Sequence, residues 1–97
     1  MAGTMMVSKK LLDRLRAAFK RYGSSVLGDP SITVKFFPTE FAELFDVLLI
    51  SSKFQNMTFA EQQDSVWDYL RSDPEVTNAD LYFVTQIATE SEEVEFI

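Results

Sequence analysis

The stretch FDVLLIS, residues 45–51, decides the fold, because it is mostly apolar on both alternating sets of positions. Such a run is typical of a central strand. Upstream, SITVKFF at residues 31–37 alternates apolar and polar side chains like a half-buried strand, and Pro38 ends it. We expect these two strands to pair directly, with Phe41 in their connection covering the edge of the core.

A helix is predicted before the strands. Six apolar residues recur at helical spacing on one face: Leu11, Leu12, Leu15, Ala18, Phe19 and Tyr22. Ser8 is a suitable N-cap and Gly23 a suitable end. Six basic residues occupy the remaining surface of this helix: Lys9, Lys10, Arg14, Arg16, Lys20 and Arg21. The helix therefore combines an apolar face with a basic face.

A second helix follows the central strand. Thr58 and Glu61 have the spacing of a capping box, and the sequence from Phe59 to Leu70 follows helical periodicity until Asp73-Pro74 ends it. A short helical turn is predicted within residues 74–78, and LYFVTQI, residues 81–87, is predicted as the third strand.

The element order predicts an α/β (α+β) domain built as a two-layer sandwich. A three-stranded mixed sheet carries helices on one face, and the third strand returns across the sheet after a helical crossover. We expect residues 8–94 to form this domain. Residues 1–7 are interpreted as a disordered N-terminus or expression remnant, residues 95–97 as a tail, and residues 90–95 as too acidic to pack.

Two residue types are absent from the whole chain, cysteine and histidine. Disulfides, thiolate metal sites and catalysis by Ser-His-Asp or Cys-His groups are therefore excluded. We expect a protein that is not an enzyme and that works in a reducing compartment, with the cytoplasm as the default. No signal peptide or membrane span is predicted.

Charge divides the chain into two parts, although the net charge is −6. Residues 9–21 hold six basic residues against one acid, whereas residues 40–97 hold thirteen acids against two bases. We expect the basic part to meet an acidic partner or solvent. Head-to-tail contact between the two parts would give weak self-association that salt disrupts.

The run FDVLLISSKFQN at residues 45–56, followed by VWDYL at residues 66–70, resembles the BolA family, in which a strand ending in Val-Ser-x-x-Phe leads into a helix. Residues 11–19 are similar to the first helix of that family. Residues 85–93, with TESEE at 89–93, resemble its last strand and closing segment. The resemblance implies a class II KH-like fold, with the second strand between the first and the third.

BolA proteins usually carry Arg-His-Arg at the start of the second helix, and the resemblance implies that this histidine binds an iron–sulfur cluster shared with a monothiol glutaredoxin. Here the aligned residues are Gln62, Gln63 and Asp64. A glutamine amide is a poor cluster ligand, and Asp64 reverses a positive charge. We therefore expect no cofactor, and a glutaredoxin-like partner stays an open question.

Two further patterns are interpreted as structural and not as functional sites. Glu61, Asp64 and Asp68 share one helix face, but no loop supplies further oxygen ligands, so we expect a solvated acidic face and no metal site. Aromatic residues at helical or strand spacing are mostly core residues, which we expect for Trp67 and Tyr82 and, with an interface as the alternative, for Tyr69.

Two functional hypotheses remain. The first is a BolA-like adaptor or regulator that acts through protein contacts. Its candidate surface comprises the basic face together with Lys53, Phe54, Gln62, Gln63 and Asp64. The second is a KH-like nucleic-acid or transcription regulator that uses the basic face. The net negative charge and the absence of a GxxG loop favour the first, so nucleic acid is not our expected partner.

Overall fold

The computed structural model describes residues 7–92. The helices are α1 (Lys9–Tyr22), α2 (Phe59–Ser72) and α3 (Asn78–Tyr82), and the strands are β1 (Thr33–Pro38), β2 (Phe45–Ile50) and β3 (Val84–Glu90). A π-helical turn, Gly23–Leu27, follows α1, and a 3-10 turn, Ser52–Asn56, follows β2. The predicted α+β class is confirmed.

The three strands lie in the order β1-β2-β3. β1 runs antiparallel to β2, with Val34 opposite Leu49. β3 runs parallel to β2, with Ile87 opposite Val47, so α2 and α3 form the connection between two parallel neighbours. The predicted mixed sheet with a helical crossover is confirmed.

The core lies between the helices and one face of the sheet, as predicted. The sheet contributes alternate residues of β2, and the helices contribute apolar stripes; the buried residues include Leu15, Phe19, Tyr22, Phe45, Val47, Leu49, Phe54, Val66, Leu70 and Ile87. Leu48 and Ile50, on the opposite face of β2, are half-buried and lie outside this cluster. The helices and strands thus form two layers around one core.

The end of α1 differs from the prediction. Gly23 has right-handed helical geometry, with φ −57°, and the chain continues into the π-helical turn. The left-handed residue is Gly28, with φ 70°. Gly23 is small for another reason: a Cβ there would lie 2.6 Å from the Asp29 carbonyl oxygen and 2.5 Å from Ile32 Cγ2.

The start of β3 was predicted three residues too early. Thr77 caps α3 by accepting a hydrogen bond from the Asp80 N–H at 3.0 Å, and the Asp80 carboxylate accepts one from the Thr77 N–H. This capping box places Leu81 and Tyr82 in α3 instead of in the strand, and shifts the short helix beyond residues 74–78. At its other end β3 includes Glu90, whose backbone joins the sheet while its side chain is exposed.

The outer boundaries of the domain also differ. Val7 packs against the core, so it does not belong to a disordered N-terminus. The predictions for residues 1–6 and 93–97 lie outside the described residues. Phe41 is 60% exposed and does not cover the core edge, because the connection carries it outward. No helix among residues 7–92 is long and apolar enough to cross a bilayer.

Candidate interaction surfaces

The basic face of α1 is largely engaged in contacts within the chain. Arg14 binds Asp80 of α3, with Nη2 2.7 Å from Oδ1. Arg21 binds Asp73 directly after α2, with Nη2 2.9 Å from Oδ2, and also lies 3.1 Å from the Glu75 carboxylate. These ion pairs tie α1 to the end of α2 and to α3.

Both carboxylates have lowered pKa values. The hydrogen bond from Arg14 is the main cause at Asp80, and the Thr77 N–H adds to it. At Asp73, burial alone would raise the pKa, but the Glu75 N–H and the Arg21 guanidinium outweigh burial and hold the pKa below its ordinary value. Both groups are therefore ionised at neutral pH and act as fixed counter-charges to the basic face.

Two further basic residues contact the outer edge of the sheet. Arg16 donates to the Val34 carbonyl oxygen at 2.8 Å, and Lys20 donates to the Ile32 carbonyl oxygen. Carbonyls two residues apart point to the same side of a strand, and β1 has a neighbour only on its β2 side. Arg16 also lies over the Phe36 ring, 4.9 Å from its centroid. Arg16 and Lys20 thus occupy one backbone acceptor of an edge strand and one in the residue directly before it.

The predicted basic face is thus brought together, but at least five of its six side chains have a partner in the chain. Lys9 completes the set by pairing with Asp13 at 3.3 Å on the surface. Lys10 has no ion pair with any described residue. A phosphate ligand would have to compete with these contacts, because carboxylates already offset the charges of Lys9, Arg14 and Arg21.

Gln62 is a structural link between three elements. Its amide nitrogen donates to the carbonyl oxygens of Phe54 and Met57, at 3.0 and 3.1 Å, and its amide oxygen accepts from the Thr89 hydroxyl at 2.5 Å. The first turn of α2 is thereby fixed to the 3-10 turn and to the end of β3.

Gln63 lies one residue further along and donates to the Ile87 carbonyl oxygen at 2.9 Å. The residue that the resemblance aligns with a cluster ligand therefore contacts the backbone of β3. Its oxygen is a weak ligand for iron, and the chain has no cysteine or histidine to complete a cluster site.

The other predicted partner residues divide between core and surface. Phe54 is fully buried and offers no surface to a partner, because the 3-10 turn points its ring into the core. Lys53 and Asp64 are exposed. Phe59 was missed as a surface residue, because its helical spacing with Val66 indicated a core position. It begins α2 and is 71% exposed, whereas the buried residues of this helix are Val66 and Leu70.

The acidic helix face does not form a group of ligands. Glu61 accepts from the Thr58 N–H at 2.8 Å as part of the predicted capping box, and Asp68 pairs with Arg71 at 2.9 Å. Within residues 7–92, no three acids are grouped so that they could share an ion.

The three aromatic residues expected in the core differ in position. Trp67 and Tyr69 are half-buried and pack against the core, and the Tyr69 ring lies 5.6 Å from the Tyr22 ring. Tyr82 is 75% exposed, which corrects its prediction as a core residue. The reason is its place in α3, where the sequence suggested a strand.

Comparisons of the chain with protein-family models, with curated proteins and with solved structures found no match. The resemblance to the BolA family therefore stays a prediction.

Proposed function

We propose that the chain is a non-catalytic, BolA-like adaptor or regulator that acts through protein contacts. Its contact site is the α2 surface, defined here as Lys53, Phe59, Gln63 and Asp64. The observation that carries the proposal is Phe59, a phenylalanine left 71% exposed at the start of an anchored helix. Large exposed aromatic side chains flanked by charges are typical of protein interfaces.

The anchoring of this helix start supports a binding role. The capping box of Thr58 and Glu61, the three bonds of Gln62 and the contact of Gln63 with β3 hold the backbone in place. A surface that is already ordered loses little conformational entropy when a partner binds. Phe59 is therefore presented on a rigid base.

The same contacts favour protein recognition over cluster binding. The Gln63 amide donates to the Ile87 carbonyl oxygen. A partner would therefore contact the Phe59 ring and the charges of Lys53 and Asp64. If iron, sulfide and a monothiol glutaredoxin are mixed with the chain, we expect no absorbance band of a shared cluster. A band that depends on this chain would contradict this part of the proposal.

The proposal is tested by comparing partner capture by three proteins: the unchanged chain, Phe59→Glu, and Gln55→Glu as a control at an exposed position of the neighbouring turn. We expect proteins from the source cell that are retained by the unchanged chain and by Gln55→Glu to be lost with Phe59→Glu. Circular dichroism checks that all three are folded. Capture that is equal for all three, or no specific capture, would refute the α2 surface.

A second candidate, a KH-like nucleic-acid regulator, is favoured by the gathering of six basic residues on α1. The internal contacts of at least five of them support protein recognition instead. The candidate requires binding of single-stranded DNA or RNA at low salt that weakens as salt rises and is lost in the Arg14→Glu, Arg16→Glu double variant. We expect no such binding.

A further inference from the structure

The opposite end of the sheet from the α2 surface exposes a second group of aromatic side chains. We call it the hairpin end and define it by Phe37, Phe41, Tyr82 and Phe83 with the carboxylates of Glu40, Glu43 and Asp46. Phe37, Phe41 and Tyr82 are 45%, 60% and 75% exposed, and Phe83 is half-buried. Among the described residues, most of the exposed large apolar side chains belong to this end.

Backbone contacts bring these residues together from three parts of the chain. Phe37 lies opposite Asp46 where β1 ends and β2 begins. The Phe45 N–H donates to the Phe83 carbonyl oxygen at 3.0 Å, which joins the start of β2 to the end of α3. Because β2 and β3 are parallel, both begin here, and α2 begins at the far end of β2, where that strand stops.

The connection between β1 and β2 has a fixed shape at this end. The Thr39 hydroxyl lies 3.0 Å from the Phe41 carbonyl oxygen and 2.9 Å from that of Leu44, and the Phe41 N–H donates to it at 3.1 Å. The Leu44 N–H also donates to the Phe41 carbonyl oxygen. Phe41 is therefore displayed on a hydrogen-bonded loop.

The charges at the hairpin end are negative. Glu40 and Glu43 are exposed and make no ion pair with any of residues 7–92, and Asp46 accepts a hydrogen bond from the Thr85 hydroxyl. Arg14, the basic residue that lines the neighbouring groove, is bound to Asp80. Free carboxylates beside aromatic rings attract cations by charge and through the ring faces.

That groove adds an apolar depression to the surface. Its volume is about 370 Å³, and Val7, Leu11 and Phe83 contribute its apolar lining, with Glu43 at its wall. A side chain the size of leucine or phenylalanine fits such a depression, and a lysine or arginine beside it would reach Glu43. The groove therefore favours a segment that alternates apolar and basic residues.

We propose that the hairpin end binds a segment of a partner protein in which lysine or arginine residues are interleaved with apolar residues. The exposed rings and the groove supply apolar contact, and Glu40, Glu43 and Asp46 select positive charge. The same carboxylates repel phosphates, which disfavours nucleic acid and anionic lipid. This surface is separate from the α2 surface, so the two can be occupied together.

The probe is a fluorescein-labelled 12-residue peptide of lysine and leucine with helical amphipathic spacing, and its acidic counterpart has glutamate at each lysine position. We expect anisotropy to report binding of the basic peptide only, weaker at about 500 mM than at about 50 mM salt. Phe41→Ser and Glu43→Lys should each raise its Kd about fivefold to tenfold. Vesicles with and without anionic lipid should not bind the chain.

Two controls separate this site from general charge attraction and from the α2 surface. Glu92→Lys makes the same change in net charge as Glu43→Lys but lies beyond β3, and it should leave the Kd within about twofold. Phe59→Ser should do the same. Equal weakening by Glu92→Lys, binding unchanged by Phe41→Ser, equal binding of the acidic peptide, or binding to anionic vesicles would each overturn the proposal. Because Phe59 is used only as a control, this outcome is independent of the capture experiment on the α2 surface.

Discussion

The two long helices treat the edges of the sheet in different ways. In α1, Arg16 donates to a carbonyl oxygen of β1, the first edge strand, and Lys20 donates to that of Ile32, directly before β1. In α2, Gln63 donates to a carbonyl oxygen of β3, the other edge strand. An edge strand has unpaired backbone groups on which another chain can pair. Both helices reduce this hazard, one with cations and one with a neutral amide.

The basic residues of α1 and the glutamines of α2 both bind within the chain, but they differ in exposure to water. The bases of α1 keep contact with water while their ends bind carbonyls or carboxylates, so they remain exposed although they are engaged. Gln62 and Gln63 are half-buried, and their amides depend on protein partners. Loss of an amide should therefore cost more stability than loss of an exposed cation.

The largest expected effect comes from breaking the link between the two helices. Asp73 is buried and binds Arg21 of α1 as well as the Glu75 N–H. Asp73→Ala therefore leaves the Glu75 N–H without its acceptor and removes the buried one of the two carboxylates that Arg21 binds. We expect the free energy of unfolding to fall by about 2–3 kcal/mol, measured by urea denaturation.

Asp68→Ala is the matched control for Asp73→Ala, because its ion pair with Arg71 is exposed on both sides. Its effect should stay below about 1 kcal/mol. If both variants lose the same free energy of unfolding, the buried link between α1 and the end of α2 stabilises the fold no more than an exposed ion pair does.

Gln62→Ala tests the neutral side of the comparison. It removes the amide that donates to the Phe54 and Met57 carbonyl oxygens and accepts from the Thr89 hydroxyl, so we expect a loss of about 2 kcal/mol in the free energy of unfolding. Gln55→Ala, at an exposed position of the same turn, should change it by less than about 0.5 kcal/mol. If the two variants unfold at the same urea concentration, the amide contacts are dispensable.

The double variant Arg16→Ala, Lys20→Ala tests the charged side. We expect a loss of about 1 kcal/mol, because both backbone acceptors regain water, and a new tendency to self-associate through β1. Sedimentation velocity measures that tendency. Lys10→Ala is the control, because it removes a base without removing a contact with any described residue. It should keep the oligomeric state of the unchanged chain. If it self-associates as the double variant does, Arg16 and Lys20 do not protect the edge of β1.

The smallest effect is a pH dependence at Asp80. Its folded pKa is lowered by Arg14, so its contribution to stability is complete above the unfolded pKa of about 3.9 and is lost as the pH falls through the folded value. Asp80→Asn should be less stable at pH 7, with a difference that narrows below about pH 4. Urea midpoints of both proteins between pH 7 and pH 2.5 measure this, and a constant difference would contradict it.

The sequence predicted the fold well where local chemistry decides it. Three signals were sufficient: the apolar run of β2, the alternation of β1 and the capping box of Thr58 and Glu61. Each of them spans only a few consecutive residues. The predicted start of β3 was wrong. The residues LYF at 81–83 have strand propensity, but the capping box of Thr77 and Asp80 begins a helix that includes the first two of them.

The candidate site was harder to predict for physical reasons. Arg14 and Asp80 are 66 residues apart, so their pairing depends on the crossover of the whole chain. Gln63 binds a backbone carbonyl, which every residue carries and which no side-chain pattern reveals. The exposure of Phe41 and Phe59 depends on where the sheet ends, which also lies beyond local periodicity.

The long separation of β3 from β2 along the chain has a consequence for folding. β1 and β2 are joined by a short connection, but β3 must close a loop of more than thirty residues before it pairs with β2. On a ribosome, β1 and β2 emerge before β3, and the edge of β2 that pairs with β3 stays open until β3 has also emerged. During synthesis, the apolar middle strand therefore keeps one unpaired edge until β3 has emerged.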